Sequence, residues 1–293
     1  MLITGKELLE SENLIDVITD GLTRSEYQDF DGRIHASTSG YCARRGALEA
    51  SYKGTKVYEA KSALYFKLGI ALEESLLDAL DSRKRLFFRQ YHLPETGINL
   101  GGKVDGIVLH NAKLHCLEIK SCGTNLPSKP DAEHLTQINI YSAVTGLPGL
   151  LLYASRSVQD FKGDLKLKLF DLGFNADDCS KSLESSALAF FASKNNLLPE
   201  IPEHITSEKD CGYCSFKNIC WEFELDKSPL IPMSESEHAA ITGASSKFIE
   251  NYMQMTEIKK RRNGVLKFLS ENGNKTAKFY LAGESWDSIL MDY

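Results

Sequence analysis

Two stretches of this chain hold residue types that could do chemistry. The first, "GGKVDGIVLHNAKLHCLEIKSC", carries Asp105 on one expected strand and Glu118 and Lys120 on the next. Residues two apart on a strand share a face, so Glu118 and Lys120 point the same way and a hairpin brings Asp105 alongside. Neighbouring carboxylates repel unless a cation lies between them, and oxygen-rich sites of this kind suit Mg2+ or Mn2+. A lysine beside them can orient a water nucleophile or stabilise charge on a phosphate. The pattern alone leaves a second reading open, in which Lys103, Asp105, Glu118 and Lys120 are the solvated face of a half-exposed hairpin.

The second stretch, "KDCGYCSFKNICWEF", places Cys211, Cys214 and Cys220 in C-x2-C-x5-C spacing. A closed metal site usually takes four protein ligands, so a fourth must come from elsewhere. Thiolates at this spacing suit an iron–sulfur cluster or structural zinc, and spacing does not choose between them. The chain has seven cysteines and lacks the basic then apolar start of an export signal. The expectation is a cytoplasmic, reducing setting, where clustered cysteines read as metal ligands or redox groups.

The elements that must position these residues follow from period. "YEAKSALYFKLGIALEESLLDALDS" spaces its apolar residues at three and four and predicts a helix over about 58–81, carrying Glu73. A shorter helix is expected over 41–52, after the capping hydroxyls Ser37 and Ser39. "KRLFFRQYHL", "INLGGKVDGIVLH" and "KLHCLEIKSC" read as three strands, with "HNAK" as a hairpin turn. "DAEHLTQINIYSAVTG" is a helix ending at Gly146, with Gln137 and Tyr141 on one face. Two strands, a helix and a Pro-bearing loop lead to the cysteines, and a helix over 236–271 and an extended tail finish the chain. This order implies an α/β protein with a mixed central sheet flanked by helices.

Composition sets outer bounds. At 293 residues the chain can bury one large core or two modest ones. Hydrophobic content of 42% and charged content of 25% are those of an ordinary globular protein. No run is long and apolar enough for a membrane span, so no membrane is expected. The net charge of −6 weighs against a purely electrostatic nucleic-acid binder but permits a local basic groove.

Taken in order, Asp105, the "EIK" of Glu118 to Lys120, the Q-x3-Y of Gln137 and Tyr141, and Glu73 in "LGIALEESL" resemble the PD-(D/E)XK nuclease superfamily. Within it they are most similar to the RecB-like exonucleases. Many members carry G-x3-H-E where this chain has Glu73 in the histidine position, a departure that phage-type members share. Cys42 in "STSGYCARRGAL" looks like the lone first cysteine of the iron–sulfur members, which include AddB-type and CRISPR-associated nucleases.

The resemblance implies a restriction-endonuclease-like core over 58–195, preceded by a helical region at 1–57. A cysteine segment at 196–235 and a C-terminal helix and tail at 236–293 complete the plan, with a cysteine-clipped helical subdomain. It implies Mg2+ or Mn2+ on Glu73, Asp105, Glu118 and the Ile119 carbonyl, with Lys120, Gln137 and Tyr141 as catalytic residues. It implies a 4Fe–4S cluster on Cys42, Cys211, Cys214 and Cys220. The expected activity is hydrolysis of DNA, single-stranded or at duplex ends, in recombination, repair or CRISPR spacer acquisition. A homo-oligomer or a recombination or CRISPR partner fits this setting. Arg44 and Arg45 are expected on phosphate, and Tyr41, Tyr141 and Phe216 against unpaired bases. Two alternatives stay open: a zinc-clipped nuclease, and a non-catalytic DNA- or protein-binding subunit with a vestigial nuclease fold.

Overall fold

The computed structural model describes residues 18–22, 28–53, 55–56, 60–157, 166–212, 214–221, 228–263, 267–271, 274–279 and 289–292. Five strands form the main sheet: β1 (Leu86–His92), β2 (Lys103–His110), β3 (Lys113–Cys122), β4 (Gly149–Ser155) and β5 (Leu167–Gly173). Their order in the sheet follows the chain. β1, β2 and β3 form an antiparallel meander, β4 runs parallel to β3, and β5 returns antiparallel to β4. The β2–β3 turn is tight because Asn111 (φ 47°) and Ala112 (φ 59°) both take left-handed backbone. That is the conformation in which a two-residue loop matches the twist of its strands.

The main helices among the described residues are α1 (Ala43–Ser51), α2 (Ala60–Ser82), α3 (Ala132–Thr145), α4 (Ala176–Lys194) and α5 (Glu235–Asn263). The parallel β3–β4 pair needs a crossover, and α3 supplies it. Asp131 caps the start of α3 by accepting from the Glu133 N–H, and Gly146 (φ 73°) ends it in left-handed backbone. α2 covers one face of the sheet, where Leu77 packs with Val108, Leu117, Ile119 and Leu150. α3 covers the other, joining Ile138, Ile140 and Val144 to Ile107, Leu114 and Cys116. Each such aliphatic side chain contributes about 1.5–3 kcal/mol by leaving water. The fold is a mixed α/β structure with helices on both faces of its sheet.

Close approach positions the outer helices. A Cβ on Gly46 of α1 would lie 2.7 Å from Ser39 Cβ and 3.1 Å from Ala189 Cβ of α4. One on Gly149, at the start of β4, would lie 2.8 Å from Ile138 Cγ1 of α3.

Some boundaries differ from expectation. The second expected strand splits: Leu100–Gly101 pairs parallel with Ile34–His35, and β2 begins after Gly102. The last helix stops at Asn263 rather than 271, and Lys267–Glu271 opens a three-stranded antiparallel sheet with Asn274–Phe279 and Ile289–Asp292. Asn263–Gly264 is a pair that favours helix termination, which the helical period had hidden. The amphipathic start of the chain lies mostly outside the described residues; 18–22 are helical. Among the described residues no helix is long and apolar enough to cross a membrane.

Candidate active site and cysteine cluster

The β2–β3 register pairs Gly106 with Leu117, and continuing it sets Asp105 against Glu118. Asp105 is 8% exposed and Glu118 3%. The solvated-hairpin reading therefore fails for these two carboxylates, because both strands are covered by helices. Asp105 Oδ2 accepts the Ile119 N–H at 2.7 Å. Burial, then the charges of Glu118 and Glu73, push the Asp105 carboxyl well above its ordinary value. Glu73 on α2 is also pushed up, by burial and by Glu118. Asp105 and Glu118 thus lie opposite each other, and Glu73 is near enough for the charges to act on one another. Glu118 Oε2 is buried with no hydrogen-bond partner, a state that costs free energy unless something else meets it.

Lys120 lies on the same face, as two-residue spacing requires. Its ammonium donates to Glu118 Oε1 at 2.7 Å and to Gln137 Oε1 at 2.8 Å. Burial alone would pull its pKa down, but the charge and hydrogen bond of Glu118 together with the charges of Asp105 and Glu133 outweigh it and raise the pKa. Gln137 Nε2 then donates to Tyr141 Oη at 2.9 Å, one helical turn along α3. The structure thus brings Glu73, Asp105, Glu118, Ile119, Lys120, Gln137 and Tyr141 together on β2, β3, α2 and α3.

Two contributors left no sequence signal. Gln90 in β1 takes φ 54°, a strained backbone for a side-chain-bearing residue, and its amide donates to Glu73 Oε1. The other is Tyr153, opposite Lys120 in the β3–β4 register. Its hydroxyl accepts the Asp131 N–H at 3.0 Å and meets His134 Nδ1 at 2.8 Å.

Cys42 sits at the N-terminus of α1, its sulfur accepting the Arg45 N–H at 3.4 Å. It lines one small pocket together with Cys211, Cys214 and Cys220. None of the seven cysteines forms a disulfide. Burial, with the neighbouring cysteines adding to it, pushes the Cys42 thiol up to about 12. Cys116 and Cys179 are core residues, and Cys122 is half-buried.

Arg44 is not on a surface that phosphate could reach. It is 8% exposed, and its guanidinium donates to Cys220 Sγ at 3.2 Å and to the Pro199 carbonyl at 2.7 Å. It helps to build the cysteine pocket instead. Arg45 bonds Glu49 at 3.3 Å and Glu133 at 3.4 Å, bridging α1 to the first turn of α3. The aromatics expected against bases also sit elsewhere. Tyr141 (2% exposed) and Phe216 (3%) are core, and Tyr41 packs on His204 at 4.6 Å.

Among the described residues, no group of three or more His, Cys, Asp or Glu side chains stands as a ready-made metal site. The donor chemistry nonetheless suits two groups. The orphaned Glu118 oxygen and the raised carboxyls of Asp105 and Glu73 suit a hard cation among oxygens. Four thiols in one pocket, with N–H donors to Cys42, Cys214 and Cys220, suit a group that takes thiolates.

No protein-family model matches the chain, and no curated protein matches it. Among solved structures, the crystal structure of SSO0001 is similar at 16% identity and a TM-score of 0.43, covering 72% of this chain and 97% of that one. At that score the likeness carries no argument.

Proposed function

We propose that the chain is a Mg2+- or Mn2+-dependent DNA exonuclease of the RecB-like PD-(D/E)XK type, with a restriction-endonuclease-like core. The observation that supports it most is the buried set of Asp105, Glu118 and Lys120 on one face, with Glu118 Oε2 unpartnered. Glu73, Asp105, Glu118 and the Ile119 carbonyl would hold the metal, which when bound supplies Lewis acidity to the phosphate.

The chain's own residues do the rest. Lys120 remains an ammonium at neutral pH and donates to the attacking water or to a phosphate oxygen, stabilising negative charge there. Gln137 holds the lysine in place, and Tyr141 holds the glutamine. Water adds to phosphorus, the P–O3′ bond breaks and the 3′ oxygen takes a proton, leaving 5′-phosphate and 3′-hydroxyl ends.

Cys42, Cys211, Cys214 and Cys220 would hold a 4Fe–4S cluster as a structural clip. The clip ties the start of α1 to a segment about 170 residues later, which limits the unfolded chain. Iron and sulfide assays on anaerobically purified protein, beside digestion of end-labelled DNA in Mn2+, test both halves. About four irons per chain and metal-dependent cleavage are expected. A colourless, zinc-bearing protein that still cleaves would remove the cluster and keep the nuclease.

A further inference from the structure

Helix α2 carries Glu73 in the half that packs on the sheet through Leu77. Its first half runs past the end of β3. Gly69 marks the crossing, since a Cβ there would lie 3.2 Å from Ser121 Oγ. Before that crossing, Leu64, Tyr65, Phe66 and Leu68 are between 42% and 47% exposed. A surface helix ordinarily turns charge outward, so exposed aromatic and aliphatic side chains on this half of the helix mark a binding surface.

The placement of Tyr65 narrows the occupant. Tyr65, Gly69 and Glu73 recur every fourth residue and lie along one stripe. At ~1.5 Å per residue, Tyr65 stands about 12 Å along the helix from Glu73. The Arg156 guanidinium lies 4.6 Å from the Tyr65 ring centroid, and Lys61 Nζ lies 6.0 Å from it. Arg156 is anchored beside the catalytic strand, its N–H donating to the Cys122 carbonyl at 2.9 Å. The stripe thus carries a partly exposed ring with two cations set over it, and it leads to a carboxylate and lysine site. Unpaired nucleotides match it, because bases stack on aromatic rings while phosphates meet the cations. A duplex keeps its base faces stacked inside and cannot use the ring in this way. A lipid surface or an apolar protein face would use the leucines but has no need of a path to Glu73.

We infer that Tyr65, with Arg156 and Lys61, is a stacking platform that guides a single DNA strand into the carboxylate site. The inference rests on the nuclease reading and narrows its substrate to unpaired strand.

The test is fluorescence anisotropy of the full chain with a labelled oligomer of about twelve thymidines, within the site sizes such proteins cover. No divalent metal is added. Tyr65→Ala should weaken binding roughly 5- to 150-fold, the range that loss of one stacked base gives. Tyr65→Phe should restore it, and Tyr65→Leu should not, since leucine keeps apolar area without a π face. Binding to a blunt duplex should change much less. Unchanged oligothymidine affinity in Tyr65→Ala, full rescue by leucine, or equal loss on duplex would each overturn the platform. A changed sedimentation mass, or lost binding to phosphatidylserine vesicles, with oligothymidine affinity intact would overturn it in favour of a second copy or a membrane. The nuclease reading fails separately. If the wild-type chain in Mn2+ cleaves neither DNA nor bis(p-nitrophenyl) phosphate, that reading falls, and the anisotropy still decides the platform.

Discussion

Lys120 Nζ on β3 and Gln137 Oε1 on α3 meet at 2.8 Å, so a helix amide sets where the buried ammonium beside Glu118 points. Gln137→Ala leaves the lysine held by Glu118 without the amide that fixes its direction. The rate constant of cleavage should fall ~10–100-fold with little change in KM, because misplacing a reacting group costs about that much. Tyr141→Phe should cost less, since Tyr141 reaches Lys120 only through Gln137. Steady-state kinetics on the two variants checks the order.

Arg44 was expected on phosphate and is found inside. Arg44→Ala leaves Cys220 Sγ and the Pro199 carbonyl without their donor. A loss of about 1–3 kcal/mol in urea unfolding is expected. The dependence of DNA affinity on salt should keep its slope, whereas removing a phosphate contact would lower that slope by about one.

His134 gives a pH dependence of stability. Burial, and then the Lys120 charge, hold its imidazole down at about 4, below the ordinary 6.5. The folded chain therefore favours the neutral ring, while the unfolded chain takes up a proton near 6.5. The stabilising contribution is complete above about pH 6.5 and is lost as the pH falls towards 4. His134→Gln should flatten the drop in urea midpoint across that window.

Cys42 tests the clip. In Cys42→Ser the iron content should fall below that of the wild type and the melting temperature should drop with it. Oxidative destruction of the cluster should lower the melting temperature of the wild type and leave that of Cys42→Ser nearly unchanged. Parallel thermal scans and iron assays decide this.

Gly149→Val tests the seat of α3. A Cβ there meets Ile138 Cγ1 at 2.8 Å and Ser142 Oγ at 3.1 Å. Overpacking of this kind typically costs about 1–3 kcal/mol. Because α3 carries Gln137, cleavage should weaken along with stability.

The alternation of β3 was enough to place Glu118 and Lys120 on one face, and the "HNAK" turn fixed the register that sets Asp105 opposite. Gly146 marked the end of α3 because a C-terminal glycine is local chemistry. What depends on tertiary approach was not legible. Arg44 looks like a surface cation until α1 is laid against the cysteine segment, and Tyr141 looks like a base-stacking ring until α3 is laid on the sheet. Gln90 reaches Glu73 only through a left-handed residue in a strand, which no periodicity announces. The platform at Tyr65 was hidden for the opposite reason: its apolar spacing reads as an ordinary buried helix face, and only exposure separates the two.

The most direct measurement is cleavage of end-labelled single-stranded DNA in Mn2+ by the wild-type chain and by Glu118→Gln. Glutamine keeps the size of the side chain and removes the charge. The account predicts mononucleotide release by the wild type and a loss of at least roughly 10²–10³-fold in the variant. Tight DNA binding by a wild-type chain that never cleaves, or equal cleavage by both proteins, would contradict it.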